Sequence, residues 1–321
     1  MGRPVAACSE RRNTVAKPKV YIGGQAVIEG VMMRGPGYIA TAVREPSGEI
    51  TVRKDAVTSV TERYPILKKP LLRGVVALVE SLIYGLKSLS FSAQAAGEEG
   101  EELTAKEIAV TMVVSLGLAI VLFVIIPTYA AKYIHSTITD SRVLNLLEGI
   151  LRLVIFLAYI LGISLMKDIK RVFEYHGAEH KTIYAYEAGV PLDVDHVRPF
   201  STLHPRCGTN FLLIVMVVSI LMFAFLGWPD LWLRIVSRIV LLPVIAGISY
   251  EIIRFAGRSE QKWVTCAITP GLWLQKLTTR EPSDDQIEVA IRALEAVRPV
   301  PEEAMATAGA GEENKEENVD A

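Results

Sequence analysis

Long apolar runs, separated by segments in which charge is concentrated, limit what this chain can become. Residues 108–126 form an almost uncharged run, long enough to cross a hydrocarbon core of roughly 30 Å, and Pro127 is expected to close it. Residues 143–166 make a second run, and 211–226 and 231–250 a third and a fourth. Only Gly227, Trp228, Pro229 and Asp230 separate the last two, a breaker-rich turn that makes them a helical hairpin. Residues 71–92 are weaker, because Arg73, Glu80 and Lys87 interrupt them, and they read as an amphipathic, interfacial helix. The pattern predicts an α-helical integral membrane protein with four transmembrane helices. A small α+β cytoplasmic portion is expected from an N-terminal hairpin, a central loop and a C-terminal helix.

Lys and Arg in the loops orient these spans. The loop at 128–142 holds only Lys132 and Arg142, and the 227–230 turn holds neither residue type. The segment 167–210 holds Lys167, Lys170, Arg171, Lys181, Arg198 and Arg206, and Arg254, Arg258 and Lys262 follow the fourth span. All the basic segments fall on one side if both termini and 167–210 are cytoplasmic. A crossing at 71–92 would move the Arg- and Lys-rich N-terminal region outside, which counts against it. No apolar stretch in the first twenty residues reads as a cleavable signal. Three cysteines, Cys8, Cys207 and Cys266, make no disulfide framework and fit a reducing compartment. A net charge of −1 gives no reason to expect a nucleic-acid partner. Within the spans, Glu148 needs a partner at that depth, and Arg234 or Arg238 of the fourth span is expected to face it.

The remaining segments divide the chain further. Residues 1–18 read as a disordered arm and 19–70 as a β-rich region, with a hairpin at 38–53 around Pro46, Ser47 and Gly48. Before it, residues 23–36 hold four glycines. They read either as a strand and turns packed under the hairpin or as a loop leaning into a site, with Glu29 and Arg34 as its polar groups. The membrane domain covers 106–250, with the loop 167–210 inside it, and 251–298 form a C-terminal region. Ser283 to Gln286 is a capping box that starts a helix expected at the surface. Residues 299–321 are rich in Ala, Gly and Glu and read as a disordered tail.

Chemistry enters at residues 176–180, His-Gly-Ala-Glu-His, and at 204–207, His-Pro-Arg-Cys. Histidines four apart share one helix face, so His176 and His180 can reach one metal ion. Glu179 between them completes the H-x-x-E-H string of inverted zincins and takes the general-base position. His204 and Cys207 add nitrogen and sulfur donors of the kind zinc accepts. Three ligands would leave a place for water and make a catalytic centre, whereas four would close a structural one. Arg206 is a candidate for oxyanion stabilisation, and Glu174 and Glu251 are reserve ligands. The alternative is that the histidines bond a compact loop and Cys207 is a small buried residue.

These strings resemble those of the YqhQ-like family, uncharacterised bacterial membrane proteins described as predicted metal-dependent enzymes. The resemblance rests on Gly24 to Gly35 (GQAVIEGVMMRG), Glu174 to Thr182 (EYHGAEHKT), Ser201 to Gly208 (STLHPRCG) and Pro270 to Pro282 (PGLWLQKLTTREP). It implies a metal, with zinc the expected one, and a multi-pass protein of the bacterial plasma membrane. The expected function is a metal-dependent hydrolase whose partners are the lipid bilayer and a membrane-protein or lipid-linked substrate. The competing expectation is a non-catalytic scaffold or assembly factor, with a structural zinc site or no metal.

Overall fold

The computed structural model describes residues 22–97, 105–134, 138, 140–227, 229–257, 259 and 261–299. The arm expected at 1–18, and the expected tail from residue 300 onward, lie outside the described residues. Four strands come first: β1 Gly23–Val27, β2 Gly30–Arg34, β3 Tyr38–Arg44 and β4 Ile50–Ala56. The helices α1 Val60–Arg63, α2 Leu72–Ala95, α3 Ala105–Ile120, α4 Ile126–Ile134, α5 Ser141–Ile163 and α6 Lys167–Ala188 follow. The chain continues through α7 Val194–Val197, α8 Gly208–Ala224, α9 Leu231–Ala256, α10 Lys262–Thr278 and α11 Asp284–Val297.

The strands pair in chain order as an antiparallel sheet, β1-β2-β3-β4. The hairpin expected at 38–53 is β3–β4. The glycine-rich stretch lies beside that hairpin rather than under it, as β1 and β2, with Val27 paired to Gly30 across a two-residue turn. Strand alternation sends successive side chains to opposite faces. Val31, Met33, Ala40 and Ala42 join Tyr175 of α6 and Ile287 and Leu294 of α11 in the main core. Met32 and Ile39 point the other way, into a small cluster that Tyr84 of α2 covers. The sheet is thus held between α6 and α11 on one face and α2 on the other.

The expected capping box forms, with the Ser283 N–H donating to Gln286 Oε1 at 2.9 Å. Its helix, however, is not at the surface. Ile287, Val289, Ala290, Ala293 and Leu294 of α11 are fully buried. The two alanines explain the difference: they leave room for α11 to seat between the sheet and α6, so more than one stripe is covered.

Among the described residues, four helical stretches are long and apolar enough to cross a membrane: Leu72–Ala95, Val113–Ala131, Ser141–Ile163 and Trp232–Ala256. The run expected to end at Pro127 continues to Ile134. Proline has no N–H for the carbonyl four residues back, that of Phe123. The helix widens there into a π turn at Val121–Ile125, and the Arg152 Nε–H donates to the Phe123 carbonyl at 2.8 Å. The third expected span becomes α8, whose 17 residues rise only ~25 Å. By length and composition α2 stands among the long helices instead. Its buried positions include Glu80, Ser88 and Ser92, and they meet the sheet. Arg34 donates to Glu80 at 2.7 Å, Thr41 Oγ1 to Ser88 Oγ at 2.9 Å, and the Ile28 N–H to Ser92 Oγ at 3.2 Å.

Glu148 is 1 % exposed. It accepts hydrogen bonds from Arg238, from Arg152 at 2.8 Å and from Thr128 Oγ1 at 3.0 Å. Of the two arginines expected to face it, Arg238 bonds it directly. Helix α10, which hydropathy alone does not mark, packs Leu274 and Leu277 against Phe156 and Ile160 of α5 and Leu213 and Met216 of α8. That packing brings the far end of α10 to the start of α8, where Cys207 lies.

Candidate metal centre

Helix α6 carries the H-G-A-E-H string. Its period stacks the His176 and His180 rings with centroids 4.4 Å apart. Cys207 arrives from another direction, as the N-cap residue of α8. One donor atom from each of His176, His180 and Cys207 lies within 4.8 Å of the other two. His176 Nε2 is 3.2 Å from Cys207 Sγ.

Backbone carbonyls set both rings. His176 Nδ1 faces the Thr278 carbonyl at 2.8 Å, and His180 Nδ1 faces the Thr202 carbonyl at 2.5 Å. An Nδ1–H donated to a carbonyl fixes the tautomer and leaves the Nε2 lone pair for a ligand. His180 Nε2 is buried and has no hydrogen-bond partner among the described residues. An orphaned imidazole nitrogen beside a thiol and a second imidazole is a donor set that fits a divalent transition metal.

Burial pushes the Cys207 thiol up, but the adjacent His180 imidazole and Thr209 outweigh it and hold the thiol below its ordinary range. Burial lowers His180. His204 is lowered to about 4, by burial first and then by His176, so its ring is neutral near pH 7.

The fourth expected donor stands apart. His204 is outside the three-donor group. Its ring centroid is 5.5 Å from that of His180, and its Nε2 lies 3.8 Å from a Glu187 oxygen. Gln275 of α10 clamps its backbone, accepting from the His204 N–H and donating to the His204 carbonyl, both at 2.8 Å.

Glu179 is buried against β1. Its carboxyl would lie 2.8 Å from a Cβ at Gly24, so any larger residue at that position of the strand would displace the Glu179 side chain. Burial raises Glu179 to about 8, with His176 opposing the rise and Cys207 adding to it. A second glycine, Gly177, sits where a Cβ would overlap the Arg280 carbonyl oxygen. This close approach lets the end of α10 present the Thr278 carbonyl to His176.

A cavity of about 520 Å³ opens on the cluster, lined by His176, Glu179, His180, His204, Arg206 and Cys207 and by residues 22–26 of the edge strand. Arg206 reaches this cavity with its guanidinium bonded to Glu187. The reserve carboxylates are elsewhere: Glu174 accepts from Gln286 at 2.9 Å, and Glu251 is paired with Arg73. Glu29 and Arg34 also leave the site, bonded to Arg171 and Glu80 respectively. The glycine-rich segment therefore reaches the cavity by its strand, not by the polar groups expected of it. Spacing arguments missed Gly24, Glu187, Gln275 and Thr278. The last two lie in the 270–282 string, which carried the resemblance without an assigned role.

Among the described residues, the fold and the site define a mostly helical protein with four helices of membrane-crossing length, a small antiparallel sheet and a largely buried His-His-Cys cluster beside a carboxyl group. A family model described as a protein of unknown function, DUF1385, matches residues 69–300, and the chain belongs to that family. It is 36% identical over 291 residues to the "Uncharacterized protein YqhQ" of Bacillus subtilis (strain 168), a match covering 86% of this chain and 91% of that one. No solved structure matches.

Proposed function

We propose that this protein is a metal-dependent hydrolase embedded in the bacterial plasma membrane, with its site at the cytoplasmic face and a lipid-linked or membrane-protein substrate. The observation that carries the reading is the count of converging donors: His176, His180 and Cys207 meet, and His204 does not. Three protein ligands leave a coordination position for water, the arrangement of catalytic rather than structural zinc sites. When bound, zinc would lower the pKa of water and polarise the scissile group. Burial alone would keep Glu179 protonated, but a zinc ion beside it would favour the carboxylate, which lines the same cavity and would take the proton of the attacking water and deliver it to the leaving group. Burial of that carboxyl excludes bulk solvent from the transfer. Arg206 lines the cavity but shares its charge with Glu187, so it orients a substrate anion more than it stabilises one.

The membrane placement rests on the apolar helices and the segregation of Lys and Arg. We place α2 in the interface. Its sheet-facing stripe is polar, while Val79, Leu82, Ile83 and Leu86 on the outside are exposed and apolar, as a helix lying between a soluble layer and lipid requires. The α3–α4 helix, α5, α8 and α9 then cross, and both termini and the metal centre are cytoplasmic.

The test pairs metal analysis of the purified full-length protein with Glu179→Gln. Under this reading, the variant keeps stoichiometric metal and fails to complement a strain lacking its own copy. Complementation by Glu179→Gln would make the centre structural, and metal-free wild-type protein that still complements would remove the metal altogether.

A further inference from the structure

A second cavity, of about 670 Å³, lies away from the metal centre, between the start of α2 and the end of α9. Arg34, Lys68, Arg73, Arg254 and Tyr250 line it, with Glu80 as the one carboxylate among the lining residues. Two of these cations are held in place. Glu251 takes Arg73 through Nε and one terminal nitrogen. Glu80 takes Arg34 at 2.7 Å while also accepting from Ser59 Oγ at 2.8 Å and the Val60 N–H at 2.9 Å. Glu80 is therefore saturated by donors already in the fold. Lys68 and Arg254 bring two further charges; neither forms a direct ion pair among the described residues, and Glu251, which Arg73 engages, is the carboxylate that feels Arg254. The cavity keeps an excess of positive charge and a set of N–H donors with fixed directions.

Its position limits what can neutralise that charge. The end of α9 and the start of α2 meet where the apolar helices give way to charged chain. Gly74 packs so closely against Gly247 and Tyr250 that a Cβ there would be 2.7 Å from the Tyr250 side chain. Close to Lys68 and Arg73 in the chain, Ile66, Leu71 and Leu72 are exposed, and so are Val79, Leu82, Ile83 and Leu86 along the outer face of α2. A soluble anion would use the cations and leave these side chains in water. A molecule carrying a phosphate on an apolar tail would use both. Basic pockets at the cytoplasmic ends of membrane helices bind lipid headgroups on this principle.

We propose that this cavity is a binding site for the phosphate of an anionic phospholipid of the inner leaflet. Arg34, Arg73 and Arg254 bond the phosphate oxygens, Lys68 supplies charge at the mouth, and the acyl chains lie over Leu71, Leu72 and the apolar outer face of α2. A bound lipid would tie α2 to α9 from the membrane side and so fix the sheet that carries β1. The proposal rests on the membrane reading and is independent of the metal.

The experiment places full-length protein in nanodiscs made from equal parts of phosphatidylcholine and phosphatidylglycerol and counts retained lipids by native mass spectrometry. Wild-type protein should retain phosphatidylglycerol preferentially. Lys68→Ala combined with Arg254→Ala should reduce that preference roughly 10- to 30-fold, two charges at about 1 kcal/mol each. Neither residue holds a buried carboxylate, so the fold should survive. Lys170→Ala with Arg292→Ala removes the same charge elsewhere and should change nothing. Equal retention by the first pair and wild type overturns the proposal. Displacement of the lipid by millimolar inorganic phosphate would also overturn it, in favour of a soluble anion. Protein that will not enter nanodiscs at all defeats the membrane reading together with this site, whereas entry without lipid preference defeats the site alone.

Discussion

Removing His180 and His204 one at a time separates an open centre from a closed one. Four-ligand zinc sites bind with roughly 10–16 kcal/mol, which averages to about 2.5–4 kcal/mol for each ligand. His180 is in the three-donor group and its ring is aimed by the Thr202 carbonyl. His180→Ala should therefore weaken zinc about 100- to 1000-fold. His204 is outside the group, with Nε2 turned towards Glu187 at 3.8 Å. His204→Ala removes a neighbour of the ligand shell and should cost about 10-fold, as outer-shell changes do. The measurement is competition for zinc between detergent-solubilised protein and a chromophoric chelator, with thermal melts in the same detergent to separate lost donors from lost fold. Equal losses in the two variants would mean that His204 closes a fourth position. Full affinity in His180→Ala would take α6 out of the site.

Two further outcomes test the surrounding architecture. Glu148→Gln leaves Arg152 and Arg238 buried beside one another without their shared carboxylate, and breaking a buried pair in this way typically costs about 3–5 kcal/mol. A lowered melting temperature is expected, with partial recovery when Glu148→Leu is combined with Arg238→Leu; no change in Glu148→Gln would mean the arginines are hydrated. Gly177→Ala forces α6 away from the Arg280 carbonyl at about 1–3 kcal/mol for overpacking. It should also loosen zinc through the Thr278 contact to His176, and a stable variant with unchanged affinity would refute that coupling.

What could be read in advance follows the range of each physical rule. Apolar runs marked most of the long helices, because a helix satisfies its own backbone and needs only length and hydropathy. They misplaced the end at Pro127, whose lost hydrogen bond is offset by Arg152 from another helix. They set α2 below the other long helices. Glu80 and Ser88 look unfavourable in an apolar run until Arg34 and Thr41 of the sheet are set against them. In α11 the capping box fixed the start of the helix, but burial on more than one face depends on which elements surround it.

The same limit separates the four expected donors. His176 and His180 are related by a helical period, so their sequence spacing determines their direction as well as their proximity. His204 and Cys207 are three apart in a turn, where the Cys207 N–H bonds the His204 carbonyl at 3.3 Å. A turn has no period that would aim both side chains alike. Their directions are set from outside: Cys207 by becoming the N-cap of α8, and His204 by Gln275, 71 residues away. Spacing could therefore bring a thiol and an imidazole into the neighbourhood, but it could not tell which one faces the histidines of α6. Because Gln275 and Thr278 belong to the same helix, α10 turns His204 aside and aims His176 through one rigid element. The distinction between three donors and four is consequently a property of how α10 docks on α8, and not of either histidine string.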